Sequence, residues 1–410
     1  MNILHITKSS TAGGAGIAAL RLHKALRESN ISSGFLSTDL AINFDNEVLG
    51  NSYFKYQRTS LFKRIINKIT SILIPSYKFK QTEKFKRIES KLNCEIATLP
   101  FSKYDLHKHP LVMKADIINL HWVCGIIDYS SFFKNCKKPI VWTLHDMNPF
   151  QGIFHYKDDQ IRNKHIIADF DREIEQFKRK TFKFINKGVF ISPSNWMLEY
   201  ASKNLNGFSI KCIPNSINLN VFTIKDKLKL RKEASISPNE FVLLFVADNL
   251  KNPRKGFDLL LESLIFLREI IPITVLLIGN GSLPKMDNIK ILTLGTINDE
   301  IEMANWYSTA NLFVLPSRED NLPNVMLEAF ACGLPVISFD NGGMKEHIKL
   351  SKNGVLVKDF NGKCLAEGIL DFYKNRNDYD CYKIRKYAED NFSLKKQAEA
   401  YFKVYEDILN

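Results

Sequence analysis

Residues Leu312 to Val336 read LFVLPSREDNLPNVMLEAFACGLPV, and this stretch decides the fold class. It starts with an apolar run that stops at Pro316, which is typical of a buried strand in a parallel sheet. A helix can begin near Asn321 and end at Gly333, which is soon followed by a proline. Because a helix N-terminus offers unpaired N–H groups and the positive end of the helix dipole, this arrangement predicts an anion-binding site.

Two acids lie at fixed positions around that helix start. Asp320 falls in the loop and Glu328 falls within the helix, with seven residues between them. Carboxylates are acceptors, so in this place they can accept hydrogen bonds from sugar hydroxyl groups. The stretch is therefore typical of a site that binds a diphosphate together with a sugar.

The length and composition of the chain favour a two-domain protein. It has 410 residues and 45% hydrophobic content, whereas one domain usually takes roughly 100 to 200 residues. No apolar run reaches the roughly 18 residues that span a bilayer, and the opening segment NILHIT lacks a basic leader, so we expect a cytoplasmic protein. Seven scattered cysteines without a C-x-x-C pair predict reduced thiols, with neither a disulfide framework nor a zinc site.

The formal net charge of +13 is concentrated in one segment, residues 51–91, which holds eleven Lys or Arg and two Glu. Apolar residues recur there at three- and four-residue spacing, with Lys63, Arg64 and Lys68 between them, which predicts a basic amphipathic helix at 61–74. Such a helix either packs on its own domain with a solvated basic face or docks on an anionic membrane surface. Nucleic acid is disfavoured, because no basic aromatic sheet motif or helix-turn-helix pattern accompanies the charge.

Strand-like and helical segments alternate along the chain in two series. The strand-like segments are NILHIT, ADIINLHW, PIVWTLHD and GVFISPS in the first series and FVLLFVAD, ITVLLIGNG, KILTLG, LFVLPS and PVISFD in the second. Each series predicts a doubly wound α/β domain with a parallel sheet. The turn-rich segment PNSINLNVF breaks the periodicity, so we place an N-terminal domain at 1–218 and a C-terminal domain at 219–392. The last segment, 393–410, contains an amphipathic helix that we expect to pack back on the N-terminal domain.

Ligands of open parallel sheets bind beyond the carboxyl ends of the strands, so the unusual residues of those loops are the candidates for a site. We expect six loops from the two domains to face one central cleft. They contain TAGGAG at 11–16, His145 with Asp146, NPRKG at 252–256, Gly279 with Gly281, Asp320 to Glu328, and Gly342 with Gly343.

Several of these loops also have a purely structural interpretation. The TAGGAG glycines lack the G-x-G-x-x-G spacing, and although Asp39 stands where a dinucleotide fold has its ribose-binding acid, they can simply permit a tight turn. Arg254 and Lys255 can hold a diphosphate leaving group or form a solvated basic turn. Histidines at strand ends, such as His145 and His121, are often structural, but the position of His145 beside an acid favours a substrate contact.

At these residues the chain resembles the retaining GT-B glycosyltransferases that carry the E-x7-E signature, and within them the bacterial subgroup that builds capsular and exopolysaccharides. The resemblance spans nearly the full length and rests on TAGGAG, NLHW, VWTLHD, FISPSNW, IPNSINLNVF, NPRKGFDLLL and the stretch from PSRED to DNGG. It implies a GT-B fold of two Rossmann-like domains and a UDP- or GDP-sugar as co-substrate. It also implies that no other cofactor and no metal is used.

Carried over by position, the resemblance implies a donor site mostly in the second domain and an acceptor site mostly in the first. Glu328 matches the acid that binds the ribose hydroxyls, Asp320 the acid that contacts the transferred sugar, and Lys255 the lysine that grips the diphosphate. His145 matches the histidine that reaches the donor sugar, so His145 and Asp320 are the catalytic candidates. The other donor-side candidates are Gly14, Arg254, Gly279, Asn321, Leu322, Asn324 and Val325, and the acceptor-side candidates are His121, Trp122 and Asp146.

The sequence departs from the family pattern at the donor site. Asp320 is one methylene shorter than the usual Glu, and Asn321-Leu322-Pro323 replaces the usual Gly-Phe-Gly. The Arg usually found early in the phosphate loop is absent, so we expect Arg254 to substitute for it.

The resulting hypothesis is transfer of a sugar to a hydroxyl of a glycan or lipid-linked glycan during surface polysaccharide biosynthesis, with the basic segment 51–91 as a candidate contact to the inner face of the membrane. Nucleic acid is not an expected partner. A nucleotide-sugar epimerase or phosphorylase of the same fold is one alternative. A non-catalytic membrane- or nucleic-acid-binding protein is the alternative from another class.

Overall fold

A computed structural model of the chain describes residues 1–11, 13–55, 76–282, 285–348 and 352–410. The predicted basic helix at 61–74 lies outside these residues. The chain divides into two compact units. The first unit consists of Met1–Pro193, Met197–Ile213 and Ala398–Asn410, and the second consists of Ser194–Trp196 and Pro214–Gln397.

Both unit boundaries differ by about five residues from the expected 218/219 and 392/393, because the linker residues bond to the second unit. The Ile217 N–H donates to the carbonyl of Phe392 at 2.9 Å, and the Ile217 side chain is fully buried in the second unit's core. The Ser216 hydroxyl donates to Gln397 Oε1 at 2.6 Å, and Gln397 Nε2 donates to the carbonyl of Pro214 at 2.9 Å. These bonds hold residues 214–217 and 393–397 together in one unit.

The first unit is built around a mostly parallel sheet. Its strands are β1 Ile3–Ile6, β2 Ser33–Leu36, β3 Ala41–Ile42, β4 Ile117–Leu120, β5 Ile140–Thr143, β6 Gly188–Ser192 and β7 Ser209–Cys212. They lie in the order β3-β2-β1-β4-β5-β6-β7, and every neighbouring pair is parallel except β2 with β3. This is the order of a Rossmann-like domain with the switch point between β1 and β4.

Helices connect these strands. They are α1 Gly13–Glu28, α2 Ser52–Lys55, α3 Tyr77–Glu89, α4 Pro110–Lys114, α5 Tyr129–Asn135, α6 Lys157–Arg162, α7 Lys164–Phe182 and α8 Asn195–Asn204, with a 3-10 turn at Leu106–Lys108. Parallel strands need such crossover helices, which cover the faces of the sheet.

The second unit repeats this architecture with a fully parallel sheet. Its strands are β8 Phe241–Asn249, β9 Ile273–Asn280, β10 Ile289–Gly295, β11 Leu312–Leu315, β12 Val336–Phe339 and β13 Gly354–Val357, in the order β10-β9-β8-β11-β12-β13. Its helices are α9 Lys227–Glu233, α10 Phe257–Leu267, α11 Glu300–Thr309, α12 Asn324–Ala331, α13 Met344–Ile348, α14 Gly362–Asn375 and α15 Cys381–Phe392, with 3-10 turns at Pro253–Lys255 and Arg376–Asp378. The predicted α/β class with two Rossmann-like domains is confirmed.

The last helix, α16 Leu394–Leu409, supplies its later residues to the first unit. Tyr401 and Tyr405 are almost fully buried there. The Tyr405 hydroxyl accepts a hydrogen bond from Asn119 Nδ2 at 2.7 Å, and the Tyr401 hydroxyl lies 3.0 Å from Thr143 Oγ1. These tyrosines therefore anchor the chain end to strands β4 and β5.

Strand β11, the start of the stretch Leu312 to Val336, lies at the centre of the second sheet. All four residues of β11 are buried, and β11 pairs with β8 on one side and β12 on the other. Continuous apolar runs of this kind are expected where helices cover both faces of a sheet. Four strands were missed, namely β2, β3, β7 and β13. Strand β3 has only two residues and β7 is partly exposed, while β2 (SGFL) and β13 (GVLV) each contain a glycine, so none of the four has the long apolar run that marks β8 and β9.

Candidate active site

Two loops of the second unit pack together at the carboxyl ends of β8 and β11. Gly256 has φ +70°, and a Cβ atom there would lie 1.9 Å from the carbonyl oxygen of Pro316. The Arg318 N–H donates to the carbonyl of Arg254 at 2.7 Å. A glycine at position 256 is thus required for the NPRKG loop to reach the end of β11.

The packed loops bring Arg254, Lys255 and Asp320 into contact. Lys255 Nζ donates to Asp320 Oδ2 at 2.7 Å, and Arg254 Nη1 donates to the same oxygen at 3.2 Å. Burial by itself would raise the pKa of Asp320, but the charges of Lys255 and Arg254 outweigh it and keep the pKa below its usual value. The two cations predicted to hold a diphosphate therefore hold an internal carboxylate here.

Helix α12 begins at Asn324, three residues later than the sequence predicted. It carries Glu328, whose side chain is buried and whose Oε2 accepts a hydrogen bond from the hydroxyl of Tyr307 at 3.0 Å. Tyr307 lies on α11 and was not among the predicted site residues. Tyr307 lies outside the segment 320–328 but holds the Glu328 carboxylate in place. This contact depends on how α11 packs against α12, which the sequence does not indicate.

The remaining predicted donor residues near α12 are mostly engaged with the protein itself. Ser194 Oγ donates to Asn321 Oδ1 at 2.6 Å, and Asn215 Nδ2 lies 3.3 Å from Asn324 Oδ1. The side chain of Leu322 is buried in the hydrophobic core, and Val325 is partly buried against that core. Leu322 can therefore contribute only its main-chain atoms to a site.

Strand β9 has an unusual backbone conformation near its carboxyl end, at Gly279. This residue has φ +138°, and a Cβ atom would lie 1.7 Å from the carbonyl oxygen of Ala247 at the end of β8. The loop after β12 also reaches the same area, because the Gly343 N–H donates to the carbonyl of Asp320 at 3.2 Å. The second-unit loops that the sequence singled out are therefore gathered at one edge of the sheet.

In the first unit, Asp39 shapes the loop after β1. Its carboxylate accepts hydrogen bonds from the hydroxyls of Ser9 at 2.7 Å and Ser37 at 2.5 Å and from the Ser10 N–H at 2.9 Å. Partial burial would raise the pKa of Asp39, but these bonds lower it to about 2. Asp39 thus holds the loop that leads into α1, whose first turn contains Gly14.

Three histidines of the first unit form a chain, which we call the histidine chain. His5 Nδ1 lies 3.0 Å from His121 Nε2, and His121 Nδ1 lies 3.0 Å from His145 Nε2. His5 and His121 are buried, whereas His145 is partly exposed. The structure therefore brings the predicted residues His121 and His145 together and adds His5, which the sequence analysis did not single out.

Trp122 and Asp146, both predicted on the acceptor side, directly follow His121 and His145 in the sequence and form a hydrogen bond with each other. Asp146 Oδ2 accepts from Trp122 Nε1 at 2.8 Å and lies 2.6 Å from His155 Nδ1, while Asp146 Oδ1 accepts from the Asn148 N–H at 2.9 Å. Burial would lower the pKa of His155, but the Asp146 carboxylate raises it to about 10. With its carboxylate buried among these donors, Asp146 supports the loop instead of presenting an open oxygen.

All seven cysteines lie in the described residues, and each is a free thiol. Among the described residues there is no group of three His, Cys, Asp or Glu side chains placed to hold a metal ion. No helix in that part of the chain is long and apolar enough to cross a membrane.

Part of the second unit is similar to a known protein family. Residues 240–375, which include the NPRKG loop and α12, match the family model described as glycosyl transferases group 1. A D-inositol 3-phosphate glycosyltransferase of Pseudarthrobacter chlorophenolicus is 25% identical over 276 residues, which cover 63% of this chain and 62% of that protein. An N-acetyl-alpha-D-glucosaminyl L-malate synthase of Bacillus anthracis is 24% identical over 98% of this chain and 96% of its own length.

Solved structures share the fold over the whole chain. Sucrose-phosphate synthase from Thermosynechococcus elongatus has a TM-score of 0.66 at 16% identity and covers 100% of this chain and 99% of its own. The Anabaena protein HepE, solved in complex with UDP-glucose, has a TM-score of 0.62 at 17% identity and covers 99% of this chain and 100% of its own. At these identities the likeness concerns the fold, which is GT-B.

Proposed function

We propose that this chain is a nucleotide-sugar-dependent glycosyltransferase that moves a sugar from a UDP- or GDP-sugar to a hydroxyl of a glycan or lipid-linked glycan, with retention of anomeric configuration, in surface polysaccharide biosynthesis. The observation that carries the proposal is the contact of Arg254 and Lys255 with an internal anion at the carboxyl end of a parallel sheet, beside a helix N-terminus. The group 1 family match over 240–375 and the names of the relatives support it.

The second unit supplies the donor site in this proposal. A diphosphate carries the same kind of charge as the Asp320 carboxylate and displaces it from Lys255 and Arg254 on binding. The displaced Asp320 then accepts a hydrogen bond from a hydroxyl of the transferred sugar. Glu328 accepts hydrogen bonds from the ribose hydroxyls, and Tyr307 keeps its carboxylate in place.

The chemical step moves the sugar between two oxygens on one face of the ring. The bond from the anomeric carbon to the diphosphate oxygen breaks, and its electron pair stays with the diphosphate. The acceptor oxygen bonds to the anomeric carbon, and its proton passes to the leaving phosphate oxygen. Lys255 and Arg254 stabilise the charge that develops on the leaving group, and among first-unit residues we assign a contact with the transferred sugar to His145.

The test is release of nucleoside diphosphate from a panel of UDP- and GDP-sugars in the presence of acceptor extracts. We expect one donor to be consumed and the product to keep the donor's anomeric configuration by NMR. Lys255→Ala should abolish release, whereas Lys251→Ala, on the same loop but exposed, should not. Absence of both release and binding for every donor would refute the proposal, and product formation from the donor without an acceptor would favour an epimerase or phosphorylase.

We further propose that the transfer needs no metal ion. Activity should survive treatment with EDTA, because two protein cations supply the positive charge at the diphosphate. Loss of activity that Mg²⁺ restores would contradict this.

We also propose that the basic segment 51–91 binds an anionic membrane surface. Replacing Lys63, Arg64 and Lys68 by Gln should weaken sedimentation of the protein with vesicles that contain phosphatidylserine, because each basic residue near such a surface contributes about 1 kcal/mol. Unchanged sedimentation would favour a helix that packs on its own domain. Binding to nucleic acid without stabilisation by nucleotides would favour the non-catalytic alternative.

A further inference from the structure

The histidine chain crosses three neighbouring strands of the first sheet. His5 lies on β1, His121 directly follows β4, and His145 follows β5 by two residues. Because β1 pairs with β4 and β4 with β5, the three imidazoles stand side by side, with 5.3 Å between successive ring centroids. The chain runs from the buried His5 to the partly exposed His145.

The two hydrogen bonds of this chain restrict where its protons can lie. Burial lowers the pKa of all three histidines, for His145 to about 4, so each ring is neutral near pH 7. A neutral imidazole has one N–H and one acceptor nitrogen. Each contact needs one of each, so a proton on His121 Nδ1 requires protons on His5 Nδ1 and on His145 Nδ1, and a proton on His121 Nε2 requires the opposite set. All three rings must therefore share one tautomer.

The buried end of the histidine chain, at His5, distinguishes the two shared tautomers. His5 Nε2 is buried and has no hydrogen-bond partner among the described residues. With all protons on Nε2, an N–H would be buried without an acceptor, which is rare in proteins because its desolvation is costly. With all protons on Nδ1, His5 leaves only an unused lone pair, and the Nδ1–H of His145 lies on its partly exposed ring, where no other described residue bonds it.

We propose that His5 and His121 are positioning residues that hold His145 in its Nδ1–H tautomer, so that His145 donates a hydrogen bond to an oxygen of the bound sugar substrate. The part that concerns the substrate rests on the proposed function, but the shared tautomer does not. His5 has no contact with ligand in this scheme and acts through His121. Its role is to supply the N–H that keeps a lone pair on His121 Nε2.

The first test is an NMR measurement on the full-length protein, labelled with ¹⁵N-histidine, at pH 7. Long-range ¹H–¹⁵N correlations show which ring nitrogen carries the proton, and single His→Gln variants assign the signals. We expect Nδ1–H on His5, His121 and His145. A proton on His145 Nε2, or different tautomers on His121 and His145, would overturn the proposal whether or not any activity is found.

The second test uses variants. His5→Phe removes the N–H that His121 accepts, so part of the His121 and His145 signals should move to the Nε2–H tautomer. The kcat should fall about two- to tenfold, in proportion to the fraction in the wrong tautomer, with KM for the donor unchanged. His5→Asn, whose Nδ2 takes the place of Nδ1 and restores a donor to His121, should recover both readouts.

A matched control is His23→Phe. His23 is as buried as His121 and its ring lies 6.1 Å from that of His5, but its Nδ1 pairs with Ser33 Oγ at 2.8 Å, outside the chain. It should leave both the His145 tautomer and kcat unchanged. Equal effects of His5→Phe and His23→Phe would mean a packing role and overturn the proposal. The expected NMR pattern without transfer from any donor would refute the proposed function and leave the shared tautomer standing.

Discussion

Replacing Asp320 by Asn is expected to tighten the binding of UDP or GDP while it slows sugar transfer. Asp320 Oδ2 accepts hydrogen bonds from Lys255 Nζ at 2.7 Å and from Arg254 Nη1 at 3.2 Å. A diphosphate that uses the same two cations must first displace this carboxylate. A neutral amide competes less strongly, so the variant offers its cations more readily to the nucleotide.

The size of the effect follows from the contacts. The side chains of Asp320, Lys255 and Arg254 are 15%, 21% and 12% exposed, so solvent screens their attraction only in part. A hydrogen bond to a charged group contributes roughly 1.5 to 3 kcal/mol. We take the lower end, about 1.5 kcal/mol, because Asn keeps an acceptor oxygen and Arg254 keeps its bond to the Glu319 carbonyl at 3.0 Å. Since 1.4 kcal/mol is a factor of ten, the Kd for UDP or GDP should fall about tenfold.

Isothermal titration calorimetry of the nucleoside diphosphates checks this prediction. Asp258→Asn is the control, because Asp258 pairs with Arg318 on the neighbouring loop at 2.8 and 2.5 Å and does not touch the cation pair. Its Kd should equal that of the wild type. If folded Asp320→Asn binds UDP and GDP no more tightly than the wild type, the carboxylate does not compete with the diphosphate and the reasoning is refuted.

Three further outcomes are expected. Glu328→Ala should weaken UDP or GDP binding at least tenfold in the same calorimetric assay, since a charged hydrogen bond to the ribose is lost; retained affinity would remove this residue from the nucleotide site. Raising the pH from 6.5 to 10 should lower the urea midpoint of unfolding, because the pKa of His155 is about 10 in the folded state and 6.5 in the unfolded state, so that its stabilising contribution is full below pH 6.5 and is lost as the pH approaches 10. Asp146→Asn should make the urea midpoint less dependent on pH. Gly256→Ala should lower thermal stability more than Gly207→Ala, because both have positive φ, at +70° and +90°, but only at 256 does the new Cβ meet a main-chain oxygen; equal losses would contradict this.

The fold was predictable because its signals are local. The runs FVLLFVAD and ITVLLIGNG became β8 and β9, and the helix predicted within 393–410 is Leu394–Leu409 in the structure. Strands such as β7 carry no such run, since SIKC is short and partly exposed. The observed unit boundaries differ from the predicted ones because Ile217 and Gln397 form hydrogen bonds within the second unit. Such long-range bonds leave no periodic pattern in the sequence.

For the candidate site, the sequence singled out residues but did not indicate their contacts. The motif spacing singled out Arg254, Lys255 and Asp320, yet nothing local indicated that the acid neutralises both cations. His5 and Tyr307 were missed because each lies within an ordinary strand or helix, outside the loops that the sequence singled out. Their importance comes from the side chains that packing places beside them.

The sequence by itself determined two doubly wound α/β domains and the loops that carry the candidate donor residues, because hydrophobic periodicity and turn residues act over a few positions. Only the tertiary structure decided the pairing of those loops. Gly256 reaches Pro316, Asp320 occupies the cation pair, and three strand ends align His5, His121 and His145. Electrostatic neutralisation and proton sharing depend on distances of about 3 Å between residues that are far apart in the chain, and only the packing of strands and helices sets those distances.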